Sequence, residues 1–160
     1  RPVDLDELVC DVVARRGDTG AHPPVVQTAG PGVLVRADPE ALARAVTNLL
    51  ENAQRFARSR VIVAVYPTDG ADRTHCIVEV VDDGPGIAEA DRDRVFERFS
   101  RVDGSRVRDA SVGGAGLGLA IVRATVEAHG GRVRLSDAEP GLRVELVLPV
   151  ESPATAGDRY

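Results

Sequence analysis

Asn48, Glu51, Asn52 and Arg55 recur at i, i+3, i+4 and i+7, a spacing that stacks four side chains on one face of a helix. Asparagine is a poor helix-interior residue because its amide competes for the backbone. A merely solvated face is better made from glutamate and arginine. Two amide oxygens one turn apart suit a hard cation that keeps several of its waters and also binds phosphates, and Arg55 adds a guanidinium that can reach a phosphate. The plainer reading is a solvated face on which Glu51 and Arg55 form an i,i+4 pair.

Two glycine clusters stand further along. In VVDDGPGI, residues 80–87, an apolar run ends in a carboxylate and the chain turns. A carboxylate at a strand end can accept a hydrogen bond from an exocyclic amine such as adenine N6. Gly84 and Gly86 would let a flat ring lie against the backbone, or they mark an ordinary turn. In GGAGLGL, residues 113–119, glycines run straight into a helix start, where free N–H groups favour an anion and phosphate above all; the plainer alternative is a flexible loop. A dinucleotide-binding fingerprint does not fit, because Leu119 or Ile121 stands where its last glycine belongs. Together, in this order over about 70 residues, the three stretches supply the parts of a nucleotide site: metal, base and phosphate.

The elements that must carry them follow from periodicity. Leu42, Ala45, Val46, Leu49, Leu50, Ala53 and Phe56 fill the apolar arc of a helix over 38–58, with Asp38 as N-cap and Pro39 in the first turn. Leu5, Leu8, Val9, Val12 and Val13 predict an earlier helix, with Asp4 and Glu7 resembling a capping box. PVVQTAG and GVLVRA read as two short strands around a Gly-Pro-Gly turn, and 61–66 with 76–81 as a hairpin. Residues 88–99 read as a short helix followed by irregular chain, and 100–113 as a polar, glycine-dotted segment. A last helix runs from about 115 to His129-Gly130-Gly131, followed by strands at 132–136 and 143–149. Residues 1–150 form one domain, and 151–160 read as a disordered tail. The pattern predicts an α+β two-layer sandwich: a mixed, mostly antiparallel sheet with helices on one face.

Composition narrows the chemistry. The 160 residues are 43% apolar and 28% charged, with a net charge of −5. That charge argues against nucleic acid as a general partner. All twenty basic residues are arginine, so a P-loop lysine and a Schiff-base lysine are both excluded. Cys10 and Cys76 are isolated, and each reads as a small core residue. Only five residues are aromatic, so the core is built from Val, Leu, Ile and Ala. No apolar run is long enough to span a membrane. The first residue is Arg and not Met, from which the chain reads as a piece of something longer.

NLLENAQRFA (48–57), DDGPGI (82–87), FERF (96–99) and GGAGLGLAIV (113–122), with HGGRV (129–133) and the closing LP (148–149), resemble the N, G1, F and G2 boxes of the catalytic ATP-binding domain of sensor histidine kinases, in the GHKL superfamily. The resemblance extends from Pro2 to Pro149. It implies a Bergerat-type fold that binds ATP and Mg²⁺ and passes the γ-phosphate to a histidine. Asn52 would ligate Mg²⁺, with Asn48 lining the same site, Arg55 near the phosphates and Glu51 beside the nucleophile. Asp82 would bind the adenine amine. Gly84, Gly86 and Ile87 would shape the adenine pocket, and Gly114, Gly116, Leu117 and Gly118 would border the phosphates. Residues 100–113 would be the ATP lid, anchored by Phe96 and Phe99, with Arg98 and Arg101 as phosphate contacts.

The sequence departs from that pattern in three places. Phe56 lacks the hydroxyl common at its position, Ser100 replaces an aromatic, and Arg55 replaces the frequent lysine. His22, His75 and His129 lack the setting of a phosphoacceptor, since none sits on a helix with an acidic residue directly after it. The implied partners are therefore a separate dimerisation and phosphoacceptor domain and a response regulator, and the implied location is the cytoplasmic side of a membrane-anchored bacterial sensor. Competing readings are a conformational-switch ATPase or anti-sigma serine kinase of the same superfamily, and a binding domain without catalysis.

Overall fold

The computed structural model describes residues 1–16, 23–28, 32–68, 74–92, 94–96 and 115–151. Its elements run β1 (Pro2–Asp4), α1 (Leu5–Arg16), β2 (Val25–Thr28), β3 (Leu34–Arg36), α2 (Pro39–Phe56), β4 (Val61–Pro67), β5 (His75–Asp82), α3 (Ala115–Ala128), β6 (Arg132–Asp137) and β7 (Leu142–Pro149). Between β5 and α3, where a short helix was expected, the described chain forms two 3₁₀ turns, Glu89–Asp91 and Arg94–Phe96.

β5 shows how the sheet meets the helices. Cys76, Val78, Val80 and Asp82 alternate with Ile77, Glu79 and Val81, so the first set shares one face. That face is the helix side: Val78 and Val80 are buried with Val61, Val63 and Val65 of β4 and Val144, Leu146 and Leu148 of β7. The strand order is β2-β4-β5-β7-β6. The β2–β4 pair is parallel and the other pairs are antiparallel. On the opposite face, Tyr66 Oη donates to Glu79 at 2.6 Å and Arg134 pairs with Glu145 at 3.0 Å. Burial first, then the Glu79 carboxylate, hold the Tyr66 hydroxyl above its ordinary pKa.

The two strands expected around Gly-Pro-Gly do not pair with each other. β2 joins the main sheet, whereas β3 pairs antiparallel with β1, a strand not foreseen from the sequence. α2 matches its expected face: Leu42, Ala45, Val46, Leu49, Leu50, Ala53 and Phe56 are all buried. Asp38 Oδ1 caps it by accepting from Glu40 N at 3.0 Å and Ala41 N at 3.4 Å. In α1, Leu5, Leu8, Val9 and Val12 are buried, but Cys10 is exposed, contrary to the core position expected of it. It lies one residue past Val9, outside the apolar arc. Cys76 is buried as expected, and desolvation, with a smaller push from Asp6, raises its thiol to about 12.

α2 and α3 pack antiparallel. A side chain at Gly118 would stand 3.9 Å from Asn48 Cβ. At the other end of the pair, His129 Nδ1 bonds the Thr125 carbonyl at 2.7 Å, and Asp38 N–H donates to His129 Nε2 at 3.1 Å. The start of α3 therefore faces the middle of α2, with the last two turns of α2 continuing beyond it. Glu151, assigned to the tail from the sequence, is held here: its N–H donates to the Leu34 carbonyl and its carboxylate pairs with Arg36 at 2.7 Å.

Candidate functional site

The β5 alternation puts a carboxylate where the pattern calls for another valine. Asp82 is 3% exposed, and such burial requires partners for the carboxylate. Its Oδ1 accepts from Gly84 N at 2.9 Å and from Leu142 N at 3.4 Å. The first bond closes the turn after β5, and the second comes from the first residue of β7. Gly84 then packs against the end of α2, where an added Cβ would lie 2.2 Å from the Phe56 carbonyl oxygen. Gly86 has φ +73, and a Cβ there would meet the Gly141 carbonyl at 3.0 Å. A Cβ at Gly84 would also lie 3.0 Å from Asp82 Oδ1. Ile87 is 8% exposed and belongs to the core.

Asp83 points the other way and ties the α2–β4 connection. Its Oδ1 accepts from Arg58 N at 2.8 Å, Ser59 N at 3.1 Å and Arg60 N at 3.5 Å, and its Oδ2 accepts from the Ser59 hydroxyl. The Ser59 hydroxyl above all, then the backbone N–H groups, hold this carboxyl well below the usual carboxylate range. A depressed acid contributes stability above its unfolded value of about 3.9, and that contribution is lost as pH falls through the folded value. Wild-type stability is therefore expected to decline as pH drops below about 4. Asp83→Asn should be less stable than wild type at pH 7 and lose less on acidification, measured by urea unfolding at both pH values.

The polar face of α2 is divided. Glu51, 52% exposed at its side chain, pairs with Arg16 of α1 at 3.2 Å and not with Arg55. Arg16 Nε also donates to Gln54 Oε1 at 2.8 Å, and Gln54 Nε2 donates to the Pro23 carbonyl at 3.0 Å. Gln54 is buried at 6% and was not foreseen, because it sits at the boundary of the two arcs of the wheel. Asn48 and Asn52 are half-buried, and neither amide is hydrogen-bonded to a described residue. Arg55 Nη1 is buried without a hydrogen-bond partner among the described residues. A buried guanidinium nitrogen in that state calls for an acceptor.

Asn48, which faces Gly118, and Arg55, which adjoins Phe56 at the Asp82 turn, thus link the three sequence stretches. Gly116 and Leu117 lie in the first turn of α3. Arg98, Arg101, Gly114, Phe99, Ser100, His22, the 100–113 segment and residues 152–160 lie outside the described residues. A cavity of about 370 Å³ lies elsewhere, walled by Pro2, Asp4, Leu8, Asp11, Arg15 and Glu40 among others, and includes none of the candidate residues. Among the described residues, no three His, Cys, Asp or Glu side chains cluster as a metal site. A cation at the α2 stripe would rest on amide oxygens and on oxygens of its ligand.

Residues 37–152 match the family described as histidine kinase-, DNA gyrase B- and HSP90-like ATPases. The probable sensor histidine kinase TcrY of Mycobacterium tuberculosis (strain ATCC 25618 / H37Rv) is 38% identical over 94% of this chain and 31% of its own length. The chain spans less than a third of the length of the curated relatives it matches. Among solved structures, the mycobacterial sensor histidine kinase MprB superposes with a TM-score of 0.77 at 34% identity, covering 94% of this chain and 97% of that one. The ATP-binding domain of PrrB from Mycobacterium tuberculosis superposes at 0.75 with 27% identity, covering 94% and 97%. The α+β layers, the buried strand-end carboxylate and the asparagine-bearing helix agree with these matches, and the chain belongs to the family of histidine kinase-, DNA gyrase B- and HSP90-like ATPases.

Proposed function

We propose that this chain is the ATP-binding catalytic domain of a sensor histidine kinase, which transfers the ATP γ-phosphate to a histidine on a separate dimerisation domain. The observation that carries the reading is the buried Asp82 carboxylate, fixed by two backbone N–H groups at the end of β5. Relatives named as sensor histidine kinases support it. Asp82 accepts the hydrogen bond of the adenine amine, and Gly84, Gly86 and Ile87 shape the pocket around the base. Arg55 turns its unpartnered Nη1 to a phosphate oxygen. N–H groups at Gly116, Leu117 and Gly118 border the phosphates from the start of α3, with Gly114 preceding them in the sequence. Arg98 and Arg101, at the edge of the 100–113 lid, add positive charge.

The residues present fit Mg²⁺, since two half-buried asparagine amides without described partners stand one turn apart beside a guanidinium that needs an anion. Asn52 would hold the ion and Asn48 would line its site. When bound, Mg²⁺ neutralises phosphate charge and fixes the phosphate chain. The incoming imidazole nitrogen forms the new N–P bond as the bond to the bridging oxygen breaks, and ADP leaves. Because the histidine is its own nucleophile, no strong base is required. Glu51, already paired with Arg16, is given no proton to move. The phosphoryl group passes onward to a response regulator. No helix among the described residues is long and apolar enough to cross a membrane, which fits a domain on the cytoplasmic side of a membrane-anchored sensor.

Calorimetric ATP titration with and without Mg²⁺ tests the assignment. Wild type should bind more tightly with Mg²⁺. Asn52→Ala should lose most of that gain, about tenfold in Kd, while its Mg²⁺-free affinity stays near wild type. An undiminished Mg²⁺ effect in Asn52→Ala would remove the residue from the metal site. Failure of the folded wild-type chain to bind ATP would remove the function.

A further inference from the structure

We propose that the β6–β7 turn is a positioning device for Asp82: Gly141 and the Leu142 N–H set the carboxylate plane, and with it the choice of purine, from a hairpin that brings no ligand-reading side chain. The proposal rests on the reading of Asp82 given above and names what gives that residue its selectivity.

The β5–β7 ladder ends at Val81↔Arg143. Continued by one residue, its register sets Asp82 opposite Leu142. There the Leu142 N–H bonds the Asp82 side chain, at 3.4 Å from Oδ1, within a buried setting. At the end of this ladder a strand N–H thus meets a carboxylate. Gly84 N reaches the same oxygen at 2.9 Å. Two donors from segments almost 60 residues apart thus converge on one oxygen, which fixes both the position and the rotation of the carboxylate.

Gly141 makes that convergence possible. A Cβ at residue 141 would lie 1.8 Å from the Asp82 carbonyl oxygen, 2.6 Å from the Asp82 carbonyl carbon and 3.0 Å from Asp83 Cα. Its φ of +107 is one that L side chains rarely adopt. A Cβ added at Gly86 would likewise lie 3.0 Å from the Gly141 carbonyl oxygen. The rest of the turn is held locally, by Ala138 N to the Gly141 carbonyl at 3.1 Å and Glu139 N to Asp137 Oδ1 at 3.2 Å. The absence of a side chain at residue 141 is what lets β7 close onto Asp82.

A merely structural turn would alter stability and leave nucleotide preference alone, so the decisive readout is the ratio of ATP to GTP affinity. Calorimetry would compare wild type, Gly141→Ala, and a semisynthetic chain in which the amide between residues 141 and 142 is an ester. The ester removes the Leu142 N–H and no side chain. We expect it to weaken ATP binding about tenfold and to lower the ATP:GTP ratio by a comparable factor, with Gly141→Ala showing a larger drop. A folded ester chain whose ratio matches wild type would overturn the proposal, and this variant decides the matter if Gly141→Ala does not fold. Wild type that binds ATP and GTP equally would instead show that Asp82 does not read the purine, a failure of the underlying assignment and separable from the first.

Discussion

Asp82→Asn is expected to weaken ATP binding about a hundredfold while the chain remains folded. The asparagine oxygen can still accept from Gly84 N and Leu142 N, so the backbone around the turn keeps its donors satisfied. What changes is the second atom of the group. A carboxylate offers only acceptors, whereas a side-chain amide presents an NH₂. Set against an adenine amine, that NH₂ is donor against donor. Set against the carbonyl of guanine, it is a matched pair. The ATP:GTP ratio should therefore fall further than ATP affinity alone requires, with GTP binding unchanged or improved. Isothermal titration with both nucleotides measures this directly, and equal losses for the two would show that the carboxylate supports the pocket without reading the base.

Gly84→Ala should be strongly destabilising. The new methyl would sit 2.2 Å from the Phe56 carbonyl oxygen and 2.9 Å from its carbon, and both are backbone atoms that cannot rotate aside. Either the last turn of α2 or the turn after β5 must move, at a cost of about 3 kcal/mol. In a chain of this length that lowers Tm by roughly 6–12 °C, readable by calorimetric melting. The shift also carries Arg55, which adjoins Phe56, and loosens the bond from Gly84 N to Asp82. ATP affinity should then fall in the protein that stays folded at low temperature. A melting temperature within a degree or two of wild type would mean the α2–turn contact is looser than the geometry requires.

Much of this architecture was legible because it is local. The apolar arc of α2 follows from periodicity, its start from Asp38-Pro39, and the β4–β5 hairpin from two β-rich runs joined by a longish loop. Strand partnership is not local. PVVQ and LVR look alike as sequences, yet β2 runs parallel to β4 across an intervening helix, and β3 pairs with β1. Nothing in either run names its neighbour. The site divides the same way. Asp82 stood out as a carboxylate ending an apolar alternation, and Asn48 and Asn52 as amides inside a helix. The plainer reading of α2 pairs Glu51 within its own helix, but a guanidinium 35 positions away, Arg16, takes it. Asp83, Gln54 and Gly141 went unremarked, because each acts on a segment remote in sequence. The nearest available signals were the doubled aspartate at 82–83 and the Pro-Gly turn at 140–141.

The bond from Asp38 N–H to His129 joins the N-cap of α2 to the residue that follows α3. Pivoted at that joint, the two helices would act as lever arms. About ten residues separate it from the Asn48–Gly118 crossing, an arm of about 15 Å. A relative tilt of about 5° would spread the arms by about 1.3 Å at the crossing and further toward Asn52 and Arg55, with no rupture at the fulcrum. Small angular changes at one imidazole would thus be magnified into changes of gap width at the opposite end.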